Sequence, residues 1–544
     1  MTKELINKTM TAVNSQPELL RPNLPYPSIS FDKLLTKSAT SRPEHVAIIC
    51  RDSALTYGEL DAFTNQFAHA LLALGVRQGE RVCLLMTNRP EFVISCYAIA
   101  RIGAVFSPIN PTYKEREIAY QLENSGATGI VVQHELLPLV EAVRTQAPDL
   151  KYVISVGPED TTLGSRHLSF ADLLKAQPST PPTLEIAMSD LVALPFSSGT
   201  TRLPKGVMLT HRNRVCNTVQ WASAMSVTEA DRLLIFLPIF HAYGIALLDS
   251  ALCRGATVVL MERFNPGECV RLLVQHRITL LPLVPPILMA LLALPDLQQY
   301  DLSSVRYVVS GGAPLAPGMA CTFRELTGVR VLQAYGLTEI GPSHIMPIDN
   351  EDPHLLASIG IPVSDTEQKV VDNETGAKEL ASGEIGELCL RGPQVMAGYW
   401  KAPEATASTL RDGWFYTGDI GFIDARGYVF LQDRKKELIK YKGWSIAPAE
   451  LEAVLLEHPA VVDVAVIGIP DEEAGEVPKA FVVRSADFSD VSAQELVQFA
   501  AAHLASYKKI REVAFLETIP RSPLGKILRQ VLKAQNVRKP TMGD

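Results

Sequence analysis

Short apolar runs alternate with helix-length segments along most of the first 330 residues. The run RVCLLM (81–86) precedes the helical segment PEFVISCYAIARIGA (90–104), which is followed by the apolar run VFSPIN (105–110). The same order recurs over residues 256–284. Strands separated by single helices are joined by crossover connections. The pattern therefore predicts an α/β fold with parallel sheets covered by helices.

The sequence pattern changes from about residue 360 onward. KVVD (369–372), GELCLRG (386–392) and YVFLQDR (428–434) are short strand-like runs separated by glycine and charge. They predict a small β-rich subdomain. A new unit then begins with a helical segment at 447–459, and charge is densest at QDRKKELIK (432–440). We expect a large N-terminal domain over residues 1–433 and a small α+β C-terminal domain over 434–544.

Composition narrows the function class. A chain of 544 residues exceeds what a single core supports, and its net charge of −8, without extended basic clusters, argues against a nucleic-acid partner. The eight cysteines are scattered without a C-x-x-C pair, as expected in a reducing compartment. We find neither a signal peptide nor a run of about 18–20 apolar residues. We therefore expect a cytoplasmic protein without a membrane span.

A polar loop, SSGTTRLPKG (197–206), interrupts two apolar runs. Its hydroxyls and backbone N–H groups, followed by a lysine, are what a polyphosphate requires. The loop is not a Walker A motif, because Lys205 follows Pro204 and precedes Gly206. Taken alone, such a loop is more often a solvent-exposed turn, so its context decides the interpretation.

Further motifs follow in order behind this loop. They are LPIFHAYG (237–244), QAYGLTEIGP (333–342), WFYTGDIGFID (414–424) with DRKKELIKYKG (433–443), and PRSPLGKILR (520–529). With these motifs the chain resembles, over essentially its whole length, the adenylate-forming superfamily of acyl-CoA synthetases, adenylation domains and luciferases. The resemblance is closest to the coumarate–CoA ligase and acyl-CoA ligase group.

The resemblance implies an acid–thiol ligase that works in two steps. A carboxylate attacks the α-phosphate of ATP in the presence of Mg²⁺, and coenzyme A then displaces AMP from the acyl-adenylate. Alternatives are an acyl-AMP ligase that serves a carrier protein, a luciferase-like oxygenase and a non-catalytic nucleotide- or acyl-binding protein. The acid itself stays open between aryl and fatty acids, and the protein is expected to be a monomer or homodimer.

The resemblance also implies roles for individual residues. Lys526 would bridge the acid and the α-phosphate, Thr338 would contact that phosphate, and Glu339 would hold Mg²⁺. The remaining nucleotide-site positions are Ser197, Ser198, Gly199, Thr200, Thr201 and Lys205 for the phosphates; Gly312, Ala313, Pro314, Gln333, Tyr335 and Gly336 for adenine; and Asp419 and Arg434 for the ribose.

Acid selection and coenzyme A binding are implied in the same way. Amino-acid-activating relatives usually carry an aspartate where this chain has His241, so we expect an acid without an amine. His241, Tyr243, Val309 and Gly312 would line the acid pocket. Lys436 would be the hinge about which the C-terminal domain rotates, bringing Lys440 to the reaction centre. Coenzyme A would meet Arg263, Lys442, Gly443 and Trp444.

The chain departs from the family pattern at two places. Arg202 stands where the phosphate loop usually has glycine, which either strains the loop or adds a cation beside the leaving pyrophosphate. Trp444 and Ser445 replace the usual Phe-Gln pair, which shortens one side chain near the nucleotide and narrows the predicted thiol tunnel. Neither departure removes a charged catalytic group.

Overall fold

The structure is a computed structural model, which describes residues 21–157, 167–175, 177–197, 204–442, 444–471, 473–488, 490–504, 506–522 and 525–537, with the backbone alone at 444, 445 and 506.

Two large sheets form most of the N-terminal domain. In spatial order, the first contains Ile361–Pro362, Gly341–Ile345, Val331–Leu337, Tyr307–Ser310, Leu280–Leu283, Arg232–Ile235, Thr257–Leu260, Val46–Cys50 and Ser53–Thr56. Its central strands are parallel, and antiparallel pairs form both edges.

The second large sheet contains the first predicted βαβ units. Its strands in spatial order are Gly398–Tyr399, Lys205–Thr210, Leu191–Ala193, Val105–Pro108, Arg81–Leu85, Ala127–Gln133, Tyr152–Val156 and Leu168–Ser169, with Phe196–Ser197 paired to Lys205–Thr210. Strand Arg81–Leu85 lies parallel to both of its neighbours. This arrangement confirms the predicted parallel sheets.

Helices cover and separate these sheets. They are Lys33–Ser41, Tyr57–Ala73, Pro90–Arg101, Glu115–Ser125, Leu137–Val143, Phe170–Leu174, His211–Ala224, Ala242–Arg254, Pro266–Gln275, Pro285–Leu292, Pro317–Thr327 and Pro403–Thr409. The helix Pro90–Arg101 is buried from Phe92 to its end, which explains its nearly continuous apolar sequence. No helix in the described ranges is long and apolar enough to cross a membrane.

The β-rich region predicted after residue 360 is an antiparallel sheet. It consists of Glu367–Val371, Gly386–Arg391, Leu410–Arg411, Trp414–Ile423 and Val429–Arg434. The predicted domain boundary at 433/434 falls at the end of the last of these strands. Short 3₁₀ helices occur at His134–Leu136, Arg144–Gln146, Leu297–Gln299, Pro353–Leu355, Ala486–Phe488 and Ser506–Lys508.

The C-terminal residues build a fourth sheet with its own apolar cores. Its strands are Ile439–Tyr441, Trp444–Ile446, Val461–Asp471, Gly475–Arg484 and Glu512–Phe515, and its helices are Pro448–Leu456, Ala493–His503 and Arg529–Val537. These elements agree with the α+β expectation for this region.

Arg529 ties the C-terminal elements to the segment that enters them. Its guanidinium donates to Glu437 at 2.7 Å, to Glu452 at 2.6 Å and to the carbonyl of Val466 at 3.1 Å. Glu452 also accepts the Val466 N–H at 2.7 Å. Burial raises the pKa of Glu452, and the Arg529 charge opposes that shift. One cation thus compensates two largely buried carboxylates.

Removing this cation should unfold the C-terminal domain first. We expect Arg529→Met to destabilise it by about 3–5 kcal/mol, because two buried carboxylates lose their partner. Hydrogen exchange of C-terminal amides at graded urea concentrations measures the loss. Arg324→Met is the matched control, because it breaks an exposed pair with Glu351 and should cost less than about 1 kcal/mol. Equal effects of the two substitutions would contradict a central role for Arg529.

Candidate active site

The two ends of the predicted phosphate loop are held together by strand pairing. Ser197 lies opposite Lys205 in the antiparallel pair of Phe196–Ser197 with Lys205–Thr210. The carbonyl of Pro204 accepts a hydrogen bond from Tyr120 at 2.9 Å. The Lys205 ammonium lies 5.1 Å from the ring centroid of Tyr399. The predicted positions Ser198, Gly199, Thr200 and Thr201, and the departure at Arg202, lie outside the described residues.

The predicted metal carboxylate contacts Tyr399, the aromatic partner of this lysine. Glu339 follows Thr338 in the turn between the antiparallel strands Val331–Leu337 and Gly341–Ile345. Its carboxylate is largely buried and accepts a hydrogen bond from Tyr399 Oη at 2.9 Å. Tyr399 thus contacts both Glu339 and Lys205.

Asp419 is the centre of the predicted ribose site. Tyr335 Oη donates to its Oδ2 at 2.5 Å, and the Arg434 guanidinium forms an ion pair with it, with Nε 3.0 Å from Oδ1. Asp419 and Arg434 face each other in the pairing of Trp414–Ile423 with Val429–Arg434. Burial and the Asp419 charge raise the pKa of Tyr335 well above its usual value, so this phenol stays protonated as a donor.

The predicted adenine residues lie on the same side of the first sheet. Gln333 is buried, and its side-chain oxygen accepts the Leu315 N–H at 2.8 Å. This bond ties the loop containing Gly312, Ala313 and Pro314 to the strand that carries Tyr335 and Gly336. Gly312 and Pro314 are exposed to solvent in this loop.

The structure brings Lys526 from the C-terminal domain to this cluster. Burial and the Arg434 charge lower the pKa of Lys526, whereas the charges of Glu437 and Asp419 oppose that shift. Gly525, with φ of +77°, lies against Pro286 of the N-terminal domain, and a Cβ there would come within 2.5 Å of the proline ring. Glycine therefore permits the close approach that carries the lysine inward.

Lys436, the predicted hinge residue, lies near residues of both the predicted phosphate loop and the predicted ribose site. Burial, followed by the charges of Lys205 and Arg434, lowers the pKa of Lys436. Lys436 is therefore near both Lys205 and Arg434. Like-charge repulsion among these groups favours binding of a polyanion.

The residues predicted to meet coenzyme A lie elsewhere. Lys442 pairs with Glu473 at 2.6 Å, and the backbone N–H of Lys440 donates to Glu476 at 2.9 Å; both carboxylates belong to the C-terminal domain. Arg263 is exposed in the N-terminal domain. Trp444 begins a C-terminal strand, and Gly443 lies outside the described residues.

His241 caps the helix Ala242–Arg254 beside the predicted acid pocket. Its Nδ1 accepts the Tyr243 N–H at 3.3 Å, which leaves the ring proton on Nε2. Burial lowers the pKa of His241 to about 4, so the ring is neutral at pH 7. Gly244 is required here by space, because a Cβ would lie 2.2 Å from the carbonyl oxygen of Pro238.

The side chain of Tyr243 contacts the backbone of Val309. Tyr243 Oη donates to the carbonyl of Val309 at 3.1 Å, and the side chain of Val309 is fully buried. The Tyr243 ring packs over Gly311, where a Cβ would lie 3.1 Å from the ring carbons.

Two residues that support the predicted nucleotide site were not predicted from the sequence. Tyr399 contacts both Glu339 and Lys205, and it lies in the unremarkable sequence AGYW. Glu387 is buried, accepts the Gly418 N–H at 3.1 Å and pairs with Lys435 at 2.8 Å, which fixes the backbone on both sides of the ribose site. No local sequence signal distinguishes either residue, because their partners are distant along the chain.

Two family profiles match the chain. The sequence profile of the AMP-binding enzyme family matches residues 35–400, and that of the AMP-binding enzyme C-terminal domain matches residues 450–526. The chain belongs to the AMP-binding enzyme family. It has the adenylate-forming fold, in which a large N-terminal domain precedes a smaller C-terminal one.

Named relatives of this AMP-binding enzyme include plant ligases. A 4-coumarate–CoA ligase from Pinus taeda is 40% identical over 500 residues, covering 90% of this chain and 91% of the relative. One from Humulus lupulus is 39% identical over 493 residues, covering 89% of each chain.

Solved structures match the AMP-binding enzyme over nearly its whole length. ATP-bound MatB from Rhodopseudomonas palustris matches with a TM-score of 0.86 and 29% identity, covering 94% of this chain and 99% of that one. The anthranilate–CoA ligase AuaEII with anthranoyl-AMP matches with a TM-score of 0.85 and 30% identity, covering 94% and 98%.

The lowered pKa of His241 predicts a specific pH dependence. Because the ring is neutral above about pH 4, it should not titrate between pH 5.5 and 8. Pyrophosphate release measured without coenzyme A should therefore show parallel pH profiles for the parent protein and His241→Asn, with the exposed His354→Asn as the control. An ionisation near pH 6.5 that disappears only in His241→Asn would contradict the buried, neutral assignment.

Proposed function

We propose that the chain activates a carboxylic acid that lacks an amino group and transfers its acyl group to coenzyme A through the residues described above. The chain is an ATP-dependent, AMP-forming acid–CoA ligase. The observation that carries the proposed residue roles is the meeting of Lys526 from the C-terminal domain with Asp419 and Arg434 of the nucleotide site.

The first half-reaction needs positive charge where a carboxylate and a phosphate approach each other. The acid oxygen bonds to the α-phosphorus of ATP, and pyrophosphate leaves. Lys526 neutralises the two reacting anions, and Lys205 holds the departing phosphates. Tyr335 and Arg434 hold Asp419, whose carboxylate accepts hydrogen bonds from the ribose hydroxyls. The protein acts mainly by placing cations and donors before reaction begins.

Glu339 fits the expected magnesium site. It is a largely buried carboxylate that accepts a hydrogen bond from Tyr399, whose ring also lies near the Lys205 ammonium, so it would supply one protein ligand to an incoming ion. The described residues contain no cluster of three or more histidine, cysteine or acidic groups that would hold a metal alone. Mg²⁺ commonly binds through one or two carboxylates and substrate phosphates. When bound, it would reduce the negative charge on the phosphates.

The second half-reaction forms the thioester and releases AMP. The coenzyme A thiol becomes bonded to the acyl carbon, and the acyl–phosphate bond breaks. We propose that the C-terminal domain turns about Lys436 between the two steps, so that Lys440 replaces Lys526 at the reaction centre. The position of Lys436 beside Lys205 and Arg434 supports this, because a rotation there moves the whole following domain relative to the phosphates. Arg263, Lys442, Gly443 and Trp444 would then meet coenzyme A.

We propose an aryl or alkyl acid as the substrate. His241 is neutral and adjoins the apolar helix Ala242–Arg254, so no carboxylate at that position pairs with a substrate ammonium. The free cysteines of the described chain, most of them buried, support the proposal of a reducing, cytoplasmic environment.

The two lysines should separate the half-reactions. Lys526→Ala should slow pyrophosphate release at least ~10²-fold, because it removes a cation from the adenylation transition state. The same variant should still convert supplied acyl-adenylate and coenzyme A to thioester. Lys440→Ala should do the reverse, and the exposed Lys509→Ala should change neither rate. Equal loss of both half-reactions in both variants would exclude domain alternation.

Glu339 should determine the magnesium requirement. We expect Glu339→Gln to raise the Mg²⁺ concentration for half-maximal pyrophosphate release at least tenfold, because the amide lacks the negative charge that a hard cation prefers. Tyr399→Phe is the matched variant, since it removes the hydroxyl that bonds Glu339 while keeping the carboxylate. Its Mg²⁺ requirement should be unchanged or lower. An unchanged requirement in Glu339→Gln would remove Glu339 from the metal site.

A further inference from the structure

Asp433 accepts a hydrogen bond that crosses the proposed hinge. It lies opposite Ile420 in the antiparallel sheet and is therefore held in the N-terminal domain. Its Oδ2 accepts the backbone N–H of Ala449 at 2.9 Å, and its Oδ1 accepts the N–H of Arg434 at 2.7 Å. Ala449 lies in the first turn of the helix Pro448–Leu456 of the C-terminal domain. One carboxylate thus connects the antiparallel sheet to a C-terminal helix.

The helix Pro448–Leu456 has no capping side chain of its own. Its N-cap residue is Ala447, which makes no side-chain hydrogen bond, and Pro448 has no N–H. The first N–H groups of a helix lack an intrahelical acceptor, and a side-chain oxygen that accepts from the second or third residue stabilises the helix. Ala449 is the second residue, so Asp433 caps this helix from outside it, with its carboxylate at the positive end of the helix dipole.

The helix that Asp433 caps belongs to the part of the chain that would rotate. Its apolar face is part of the core of the C-terminal domain. Arg529 also bonds both Glu437, which directly follows Lys436, and Glu452 of this helix. These residues would move together with the helix, whereas Asp433 stays paired in the antiparallel sheet. A rotation about Lys436 would therefore break the hydrogen bond that crosses the hinge.

We propose that Asp433 is a positioning residue that favours the pose in which Lys526 reaches the nucleotide site, and that it thereby sets the balance between the two half-reactions. The proposal rests on the proposed function, because it requires the C-terminal domain to turn about Lys436. The cap is present in the pose that brings Lys526 near Asp419 and Arg434, and it would be absent after the rotation. A contact made in only one of two poses shifts their populations by its own free energy.

The ratio of the two half-reaction rates tests the proposal. Pyrophosphate release without coenzyme A is measured with the fastest acid from a panel of cinnamic, benzoic and unbranched fatty acids. Thioester formation is measured with coenzyme A and the synthetic adenylate of the same acid. We expect Asp433→Ala to lower the ratio of the first rate to the second by about threefold to tenfold, the range expected for a lost N-cap. Asp433→Asn should stay closer to the parent ratio, because its side-chain oxygen can still accept the Ala449 N–H.

Ser492→Ala is the matched control. Ser492 caps the helix Ala493–His503 by accepting the N–H of Glu495 at 3.2 Å, and both residues lie within the C-terminal domain. Its loss should destabilise that domain and leave the ratio at the parent value, because a ratio is independent of the amount of folded enzyme. An unchanged ratio in Asp433→Ala would overturn the proposal. So would an asparagine variant whose ratio falls as far as that of the alanine variant.

Hydrogen exchange tests the pose without any substrate. In the parent protein, Gly525 lies against Pro286 of the N-terminal domain. Asp433→Ala should speed exchange at the start of the capped helix and also in the segments that contain Pro286 and Gly525, whereas Ser492→Ala should leave the Pro286 segment unchanged. Faster exchange confined to the helix start would show that Asp433 is only a local cap, and would overturn the proposal. If no acid in the panel releases pyrophosphate, the proposed ligase function fails, and exchange still decides the role of Asp433.

Discussion

The pairing of Asp419 with Tyr335 and Arg434 connects the parts of the protein that must meet for chemistry. Tyr335 belongs to the first large sheet, whereas Asp419 and Arg434 lie on neighbouring strands of the antiparallel sheet. One carboxylate accepts a hydrogen bond from Tyr335 and forms an ion pair with Arg434. The predicted nucleotide site therefore lies where these two sheets meet, and its geometry depends on both of them.

A concentration of cations surrounds this carboxylate. The pKa values of Lys436 and Lys526 are lowered by burial and by neighbouring positive charges, while Asp419 and Glu437 partly compensate Lys526. Such a cluster is unfavourable alone and becomes favourable when a polyphosphate enters it. Arg529 matters for this reason. Its bond to Glu437 links the C-terminal helix that follows Lys526 to the segment that contains Lys436, the proposed hinge.

The acid side of the site follows a different electrostatic rule. His241 is kept neutral by burial, so the pocket near the reacting carboxylate adds no fixed charge. The predicted phosphate side therefore carries excess positive charge, whereas the histidine of the predicted acid pocket is a neutral ring.

The sequence alone determined the fold class, and it predicted a nucleotide site. The strand–helix alternation at 81–110 and 256–284 is a local pattern, and it predicted the parallel sheets because hydrophobic periodicity directly reflects burial. The resemblance carried by the ordered motifs also predicted Tyr335, Asp419, Arg434 and Lys526 as parts of one nucleotide site. Those residues lie in short segments whose composition is itself distinctive.

Only the tertiary structure decided which unremarkable residues complete the site. Tyr399 meets Glu339 across 60 residues of sequence, and Glu387 meets Lys435 across 48. Neither pair has a local pattern, because each contact depends on how separate helices and strands pack. Burial is also a property of the folded chain, so the neutral state of His241 could not be read from FHAYG. The sequence specifies which chemical groups are present, and packing decides which of them share a low-dielectric space.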